Sequence, residues 1–67
     1  MKTTLGKRLQ IARKRAKLTQ RQVAIKLNIC STTVSTWERD ERMPSLGTLA
    51  ALAKMYGTTS SELLEGL

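Results

Sequence analysis

The side chains in this sequence that could do chemistry are mainly hydroxyls and cations. Ser31, Thr32 and Thr36 lie close together in the middle of the chain, which also carries 12 lysines and arginines but no histidine. A general base of the usual kind is therefore missing, there is no glycine-rich loop to cradle a phosphate, and three of the carboxylates crowd one charged turn after residue 37. We expect hydrogen bonding and charge neutralisation here, and no enzyme activity.

Length and composition narrow the class further. The 67 residues make one domain, 1–67, and the 40% apolar fraction is that of an ordinary globular protein. Cys30 is the single cysteine, and without histidine we expect no metal and no cofactor. No apolar run is long enough for a membrane span or a secretory signal, so the sequence predicts a cytoplasmic protein that does not enter a membrane.

Charge is distributed unevenly along the chain. The net charge is +7, and all five acids stand at or beyond position 38, whereas nine cations precede them. These cations are Lys2, Lys7, Arg8, Arg13, Lys14, Arg15, Lys17, Arg21 and Lys26. Such a half-chain attracts phosphates or anionic lipids, although a solvated basic face would look the same.

The spacing of apolar residues predicts an all-α domain of five helices. Helix 1 is expected over about 4–16, helix 2 over 19–28 and helix 3 over 31–39, followed by helix 4 between Ser45 and Gly57 and a short helix 5. Leu46 is expected in the apolar stripe of helix 4. No alternating β-branched stretch and no hairpin turn indicates a strand.

Local signals mark the helix ends. Thr3 or Thr4 is suited to cap helix 1, and capping boxes are expected at 19–22 and 59–62. Asn28 tolerates the left-handed conformation in which helix 2 would end.

Helices 2 and 3 satisfy the demands of a helix-turn-helix. The motif needs a small residue for close helix approach, a short turn, and apolar residues that lock the pair together. Ala24 supplies the first and Asn28 the second. The expected locking residues are Val23, Leu27, Ile29, Val34 and Trp37.

The ordered set of residues over 5–64 resembles the Cro/repressor-type, lambda-repressor-like helix-turn-helix family of phage and bacterial regulators. It comprises Leu5, Gly6, Lys7, Arg8, Leu9, Leu18, Thr19, Gln20, Val23, Ala24, Val34, Ser35, Trp37, Glu38, Arg39, Pro44, Ser45, Leu46 and Leu63. The resemblance implies a sequence-specific regulator of transcription, expected to be a repressor, that reads the major groove of double-stranded DNA with helix 3.

The same resemblance implies roles for individual residues. Ser31, Thr32 and Thr36 correspond to positions that face the bases. Residues expected to bind DNA phosphates are Gln20, Arg21, Arg39 and Arg42. A homodimer on a two-fold operator is also expected, with Met43, Leu63, Leu64 and Leu67 as apolar candidates for its contacts.

Five further positions are singled out by the resemblance or by their type. Arg13 and Glu38 match a pair that often forms a structural salt bridge. Cys30 stands where the family usually caps helix 3 with Ser or Thr, so either Ser31 takes over the cap or the helix start is weaker. Asp40 replaces a common glycine and brings an unhelpful negative charge, while Trp37 is expected in the core.

Two other functions are alternatives to the reading of DNA. A membrane-active basic peptide fits the cationic helix 1 but not the later caps and turns. An antitoxin or other protein-binding module with the same fold, in which DNA binding is secondary, stays open as the alternative.

Overall fold

The computed structural model describes residues 3–65, and this part of the chain folds into five helices without a strand. The helices are α1 (Leu5–Arg15), α2 (Gln20–Leu27), α3 (Ser31–Glu38), α4 (Leu46–Met55) and α5 (Ser60–Leu64). The predicted all-α, five-helix fold is confirmed. α3 packs between α2 and α1, and α5 packs on α1 and α4. No helix in the described residues is both long and apolar enough to cross a membrane.

Hydroxyl side chains begin four of the five helices. Thr4, rather than Thr3, caps α1 by accepting from the Lys7 N–H, and Ser45 caps α4 in the same way. Thr19 and Gln22 form the complete reciprocal box expected at α2. Each such bond satisfies a backbone donor that the first helical turn leaves without a partner.

The box predicted at α5 is only half formed. The Thr59 hydroxyl accepts from the Glu62 N–H, as expected. The Glu62 carboxylate accepts instead from the Thr58 hydroxyl, with Oγ1 and Oε2 2.6 Å apart. An O–H donor next to the helix start thus takes the place of the expected backbone N–H.

Left-handed residues end the helices where the chain must turn sharply. Asn28, with φ of 57°, ends α2 as predicted, and Asp40, with φ of 60°, follows α3. Gly57, with φ of 73°, follows α4. Asn, Asp and Gly are the residues that reach this region at least cost.

One apolar core joins all five helices. Leu9, Val23, Val34 and Leu52 are its fully enclosed side chains. Trp37 is also buried, as expected for so small a domain. Two predictions were wrong: Ile29 is 37% exposed instead of locking α2 to α3, and Leu46 is 80% exposed at the first turn of α4. Ile29 lies in the turn between α2 and α3, and Leu46 is the first residue of α4, so neither lies in the interior of a helix.

Candidate functional site

The outward face of α3 is defined by what the helix buries. Val34 and Trp37 lie one turn apart and both point into the core. The opposite side of the first turn therefore faces outward, and Ser31 and Thr32 are exposed there. A short helix fixed in this way presents hydroxyls to any ligand that approaches it.

Thr36 lies one turn further along and is held differently. Its side chain is half-buried, and its hydroxyl donates to the Thr33 carbonyl with the two oxygens 2.6 Å apart. The hydroxyl hydrogen is therefore already used within the helix. Thr36 retains only its acceptor capacity for a ligand, a restriction that the spacing of the residues did not reveal.

The start of α3 lacks a side-chain cap. Cys30 occupies the capping position with extended backbone, and no side-chain hydrogen bond is formed there. Ser31 is the first residue of the helix and does not replace it. Of the two expected outcomes, the structure has the weaker helix start, which leaves the Ser31 hydroxyl free of that role.

Arg13, Gln20 and Glu38 meet in one buried cluster that joins α1, α2 and α3. The Arg13 guanidinium donates two hydrogen bonds to the Glu38 carboxylate, from Nε at 2.7 Å and from Nη2 at 3.1 Å. Gln20 Nε2 donates to the same carboxylate at 3.1 Å. Only 10% of the Arg13 side chain and 4% of the Glu38 side chain are exposed. The hydrogen bonds to Glu38 raise the pKa of Arg13 despite the opposing effect of its burial.

The cluster is closed by two further groups. Arg13 Nη1 donates to the Leu18 carbonyl at 2.8 Å, so the guanidinium also holds the loop before α2. Burial of the Tyr56 ring raises its pKa to about 12, and the negative charge of Glu38 adds to the rise. The end of α3 and the start of α2 are therefore fixed relative to each other by charge-assisted hydrogen bonds.

The remaining predicted cations are exposed in α2 and in the loop after α3. Arg21, in the first turn of α2, and Arg42, in the loop after α3, are both exposed. Arg39 is exposed as well, but its Nε lies 2.7 Å from Oε2 of Glu41. The structure thus places Gln20 in the buried cluster and leaves the three arginines outside it.

A contact between Gly6 and Asp40 was missed by sequence reasoning. The Gly6 N–H donates to Asp40 Oδ1 at 2.9 Å, so the start of α1 is tied to the loop after α3. A Cβ at Gly6 would lie 2.6 Å from the Trp37 carbonyl oxygen and 2.7 Å from that of Glu38. The Asp40 carboxylate, whose charge was expected to be unhelpful, accepts a hydrogen bond from one of the free N–H groups at the N-terminus of α1. In the sequence, the one sign of a special role for Asp40 is that Asp tolerates the left-handed conformation, and this does not indicate which residue its side chain contacts.

No cluster of three or more metal-ligating side chains occurs among residues 3–65. Around α3 the polar groups are the hydroxyls of the helix, the Gln20 amide, the exposed guanidinium groups, and the carboxylates of Asp40 and Glu41 in the loop that follows. The hydroxyl, amide and guanidinium groups suit recognition of a polar, anionic surface.

Comparison with known proteins identifies the fold and its class. The sequence profile described as a helix-turn-helix domain matches residues 4–66, and the chain belongs to this family, in its Cro/C1 repressor type. It is 44% identical over 61 residues to the HTH-type transcriptional regulator ImmR of Bacillus subtilis (strain 168) and 41% identical over 61 residues to the Immunity repressor protein of Bacillus phage phi105. Each match covers 91% of this chain, but only 48% and 42% of those relatives. The chain thus spans about half the length of the curated relatives it matches.

Solved structures agree with this assignment. The P22 c2 repressor protein in complex with synthetic operator 9T in the presence of Tl+ superimposes with a TM-score of 0.87 at 29% sequence identity. That match covers 98% of this chain and 100% of the other. The DNA-binding domain of the same repressor in solution gives the same TM-score at 31% identity.

Proposed function

We propose that this domain is a sequence-specific, double-stranded DNA-binding regulator of transcription that acts as a repressor. The observation that carries the proposal is the exposed hydroxyl face at the start of α3, held outward because Val34 and Trp37 are buried behind it. The related P22 c2 repressor is bound to an operator in its crystal structure, which supports the same use of the fold here. Its relatives are transcriptional regulators, and we expect no catalytic activity.

In this proposal α3 lies in the major groove. Ser31 and Thr32 donate to or accept from base edges, and Thr36 accepts only. Gln20 lies at the N-terminus of α2, where backbone N–H groups favour a phosphate. Its Nε2 has a second hydrogen that the bond to Glu38 leaves free for a phosphate oxygen.

Arg21, Arg39 and Arg42 supply the charge that the phosphate backbone requires. They are exposed, in α2 before the turn to α3 and in the loop after α3, and their long side chains could reach phosphates of a duplex that contacts α3. Contacts of this kind position the protein on any duplex, whereas the hydroxyls choose the sequence. A cytoplasmic location follows from this function.

A homodimer on a two-fold operator is part of the proposal. α3 has eight residues, which makes it about 12 Å long and able to cover about three or four base pairs. So few base pairs specify an operator poorly. Two copies of the domain, bound one turn of the DNA helix apart, would double the number of base pairs that are contacted. Met43 is exposed next to Arg42 and, with Leu64, is a candidate for the contact. Leu63 is buried in the core, and Leu67 lies outside the described residues.

Selection of bound duplexes from a random library, at a stated salt concentration, tests the proposal. We expect a defined sequence to be enriched, with two related half-sites if the domain binds as a dimer. Its affinity should fall steeply as salt is added. For each phosphate contact, log K should drop by about 0.9 per tenfold rise in salt concentration. Enrichment of no sequence, with no binding to any duplex at low salt, would refute DNA binding.

A protein-binding module is the second candidate. An open cavity of about 460 Å³ lies between α1 and the turn from α4 to α5, with Ile11, Arg15 and Tyr56 in its lining and no residue of α3 among the lining residues. If a protein partner bound there were the main function, we would expect weak binding to DNA and a protein complex whose affinity changes little with salt. The salt titration described above separates the two functions.

A further inference from the structure

The loop after α3 carries as many acids as cations. Arg39, Asp40, Glu41 and Arg42 follow one another, so the segment that the proposed function assigns to phosphates is neutral overall. Elsewhere the chain is strongly basic. Two carboxylates at the edge of a DNA-binding surface need an explanation, because each repels the phosphate backbone.

Asp40 has a structural explanation and Glu41 does not. Asp40 adopts the left-handed conformation that ends α3, and it accepts the Gly6 N–H. The Glu41 carboxylate is bonded, among residues 3–65, to one side chain only, that of Arg39. Glu41 therefore contributes its charge to a residue that is itself expected to bind DNA.

The geometry of this pair favours exchange with another anion. Arg39 Nε and Glu41 Oε2 are 2.7 Å apart, yet 56% and 54% of the two side chains remain exposed. Ion pairs so open to water are weak, and a DNA phosphate would replace the carboxylate without burying an uncompensated charge. The Glu41 N–H donates to the Thr36 carbonyl at 3.0 Å, which fixes the backbone of Glu41 beside the end of α3.

We propose that Glu41 competes with DNA phosphates for Arg39 and thereby limits the affinity of the domain for every duplex. The inference rests on the proposed function. When Arg39 transfers to a phosphate, Glu41 loses its partner and takes up a cation from solution. The net number of counterions released is then lower by about one than Arg39 alone would release.

The experiment compares Glu41→Gln with Glu65→Gln in salt titrations on specific and random duplexes. Both variants remove one negative charge, but Glu65 lies at the end of α5, outside the loop that carries Arg39. We expect Glu41→Gln to bind both duplexes about two- to fivefold more tightly than Glu65→Gln at low salt. Its salt slope should be steeper than that of Glu65→Gln by up to about 0.9.

A double variant makes the role of Arg39 explicit. In an Arg39→Ala background, Glu41→Gln should gain no more than Glu65→Gln does, because the residue for which Glu41 competes has been removed. Equal effects of the two glutamine variants in the wild-type background would overturn the inference, and so would an equal gain with and without Arg39. Failure of the unaltered domain to bind any duplex would instead refute the proposed function, and thermal unfolding of each variant verifies that it is folded.

Discussion

At the residue scale, the side chains proposed to face DNA differ in what they can still offer. Thr32 is exposed and its hydroxyl can donate or accept, whereas the Thr36 hydroxyl donates to the Thr33 carbonyl. Gln20 is oriented by Glu38: a carboxylate only accepts, so the Gln20 amide nitrogen must face it. Hydroxyls pair with several bases, and we therefore expect part of the selectivity to come from DNA shape.

Thr32→Ala should relax the choice of base at one position of each half-site. The loss of a hydroxyl from the groove is expected to reduce discrimination there by about 1–3 kcal/mol. Ser35→Ala is the matched control, because it also removes one hydroxyl from α3 but at a half-buried position, whereas Thr32 is exposed. Affinities for all single-base variants of the selected duplex measure the effect. A loss that is equal for every sequence would contradict base reading by Thr32.

At the element scale, α3 is held more firmly at its end than at its start. The end is tied to α1 by the Gly6–Asp40 hydrogen bond and by the Arg13–Glu38 pair. The start has Cys30 in the capping position without a cap bond. The part of α3 that would enter DNA is therefore the part with less support from the domain.

Gly6→Ala should destabilise the domain by about 1–3 kcal/mol. Its Cβ would lie within 2.8 Å of three oxygens, two of which belong to the backbone at the end of α3 and cannot move aside cheaply. Gly47→Ala is the control, since a Cβ there meets nothing within 4 Å and alanine favours a helix by up to about 1 kcal/mol. Urea unfolding measures both. Equal stability changes would show that α1 and α3 do not approach closely at Gly6.

Cys30→Ser should stabilise the domain by about 1 kcal/mol. The backbone of Cys30 is already extended, with φ of −78° and ψ of 142°, so a serine hydroxyl could accept from the first turn of α3 without rearrangement. Cys30→Ala, which removes the thiol without adding an oxygen, should lack this gain. If the serine and alanine variants melt alike, the start of α3 is not limited by its missing cap.

The elements that sequence reasoning predicted are those whose causes are local. The Thr19 cap and the left-handed Asn28 depend on residues within one turn, and both were predicted. The Gly6–Asp40 contact joins residues 34 positions apart, and spacing along the chain carries no information on it. The exposed side of Leu46 was also missed, because a stripe of leucines does not reveal where the core ends.

At the scale of the whole molecule, a small core and one buried ionic cluster hold the helices together. Arg13, Gln20 and Glu38 come from three different helices, and among residues 3–65 no buried side-chain nitrogen or oxygen lacks a hydrogen-bond partner. Removal of one partner from such a cluster leaves a buried charge without compensation. The same cluster fixes α2 relative to α3, so we expect a loss of the cluster to reduce both the stability of the fold and the proposed recognition of DNA.

The raised pKa of Tyr56 predicts one contribution to the stability of the whole domain at alkaline pH. Its pKa is about 12 in the fold and about 10 in an unfolded chain, so between these values the folded state retains a proton that the unfolded state has lost. The contribution of Tyr56 to the free energy of unfolding is therefore complete below pH 10 and is lost as the pH rises toward 12. Tyr56→Phe should reduce this loss in urea unfolding over that range. Because the chain has a single tyrosine, phenolate absorbance reports the pKa directly, and a value near 10 would contradict the burial described here.

The most direct test of the central claim is an NMR titration of the isotopically labelled domain with a duplex recovered by selection. We predict that the largest shifts fall on the amides of Ser31 and Thr32 and on the side-chain amide of Gln20. The signals of Ile11 and Tyr56, which line the cavity between α1 and the turn from α4 to α5, should change little. Shifts concentrated at Ile11 and Tyr56, with the signals of Ser31 and Thr32 unmoved, would contradict the account.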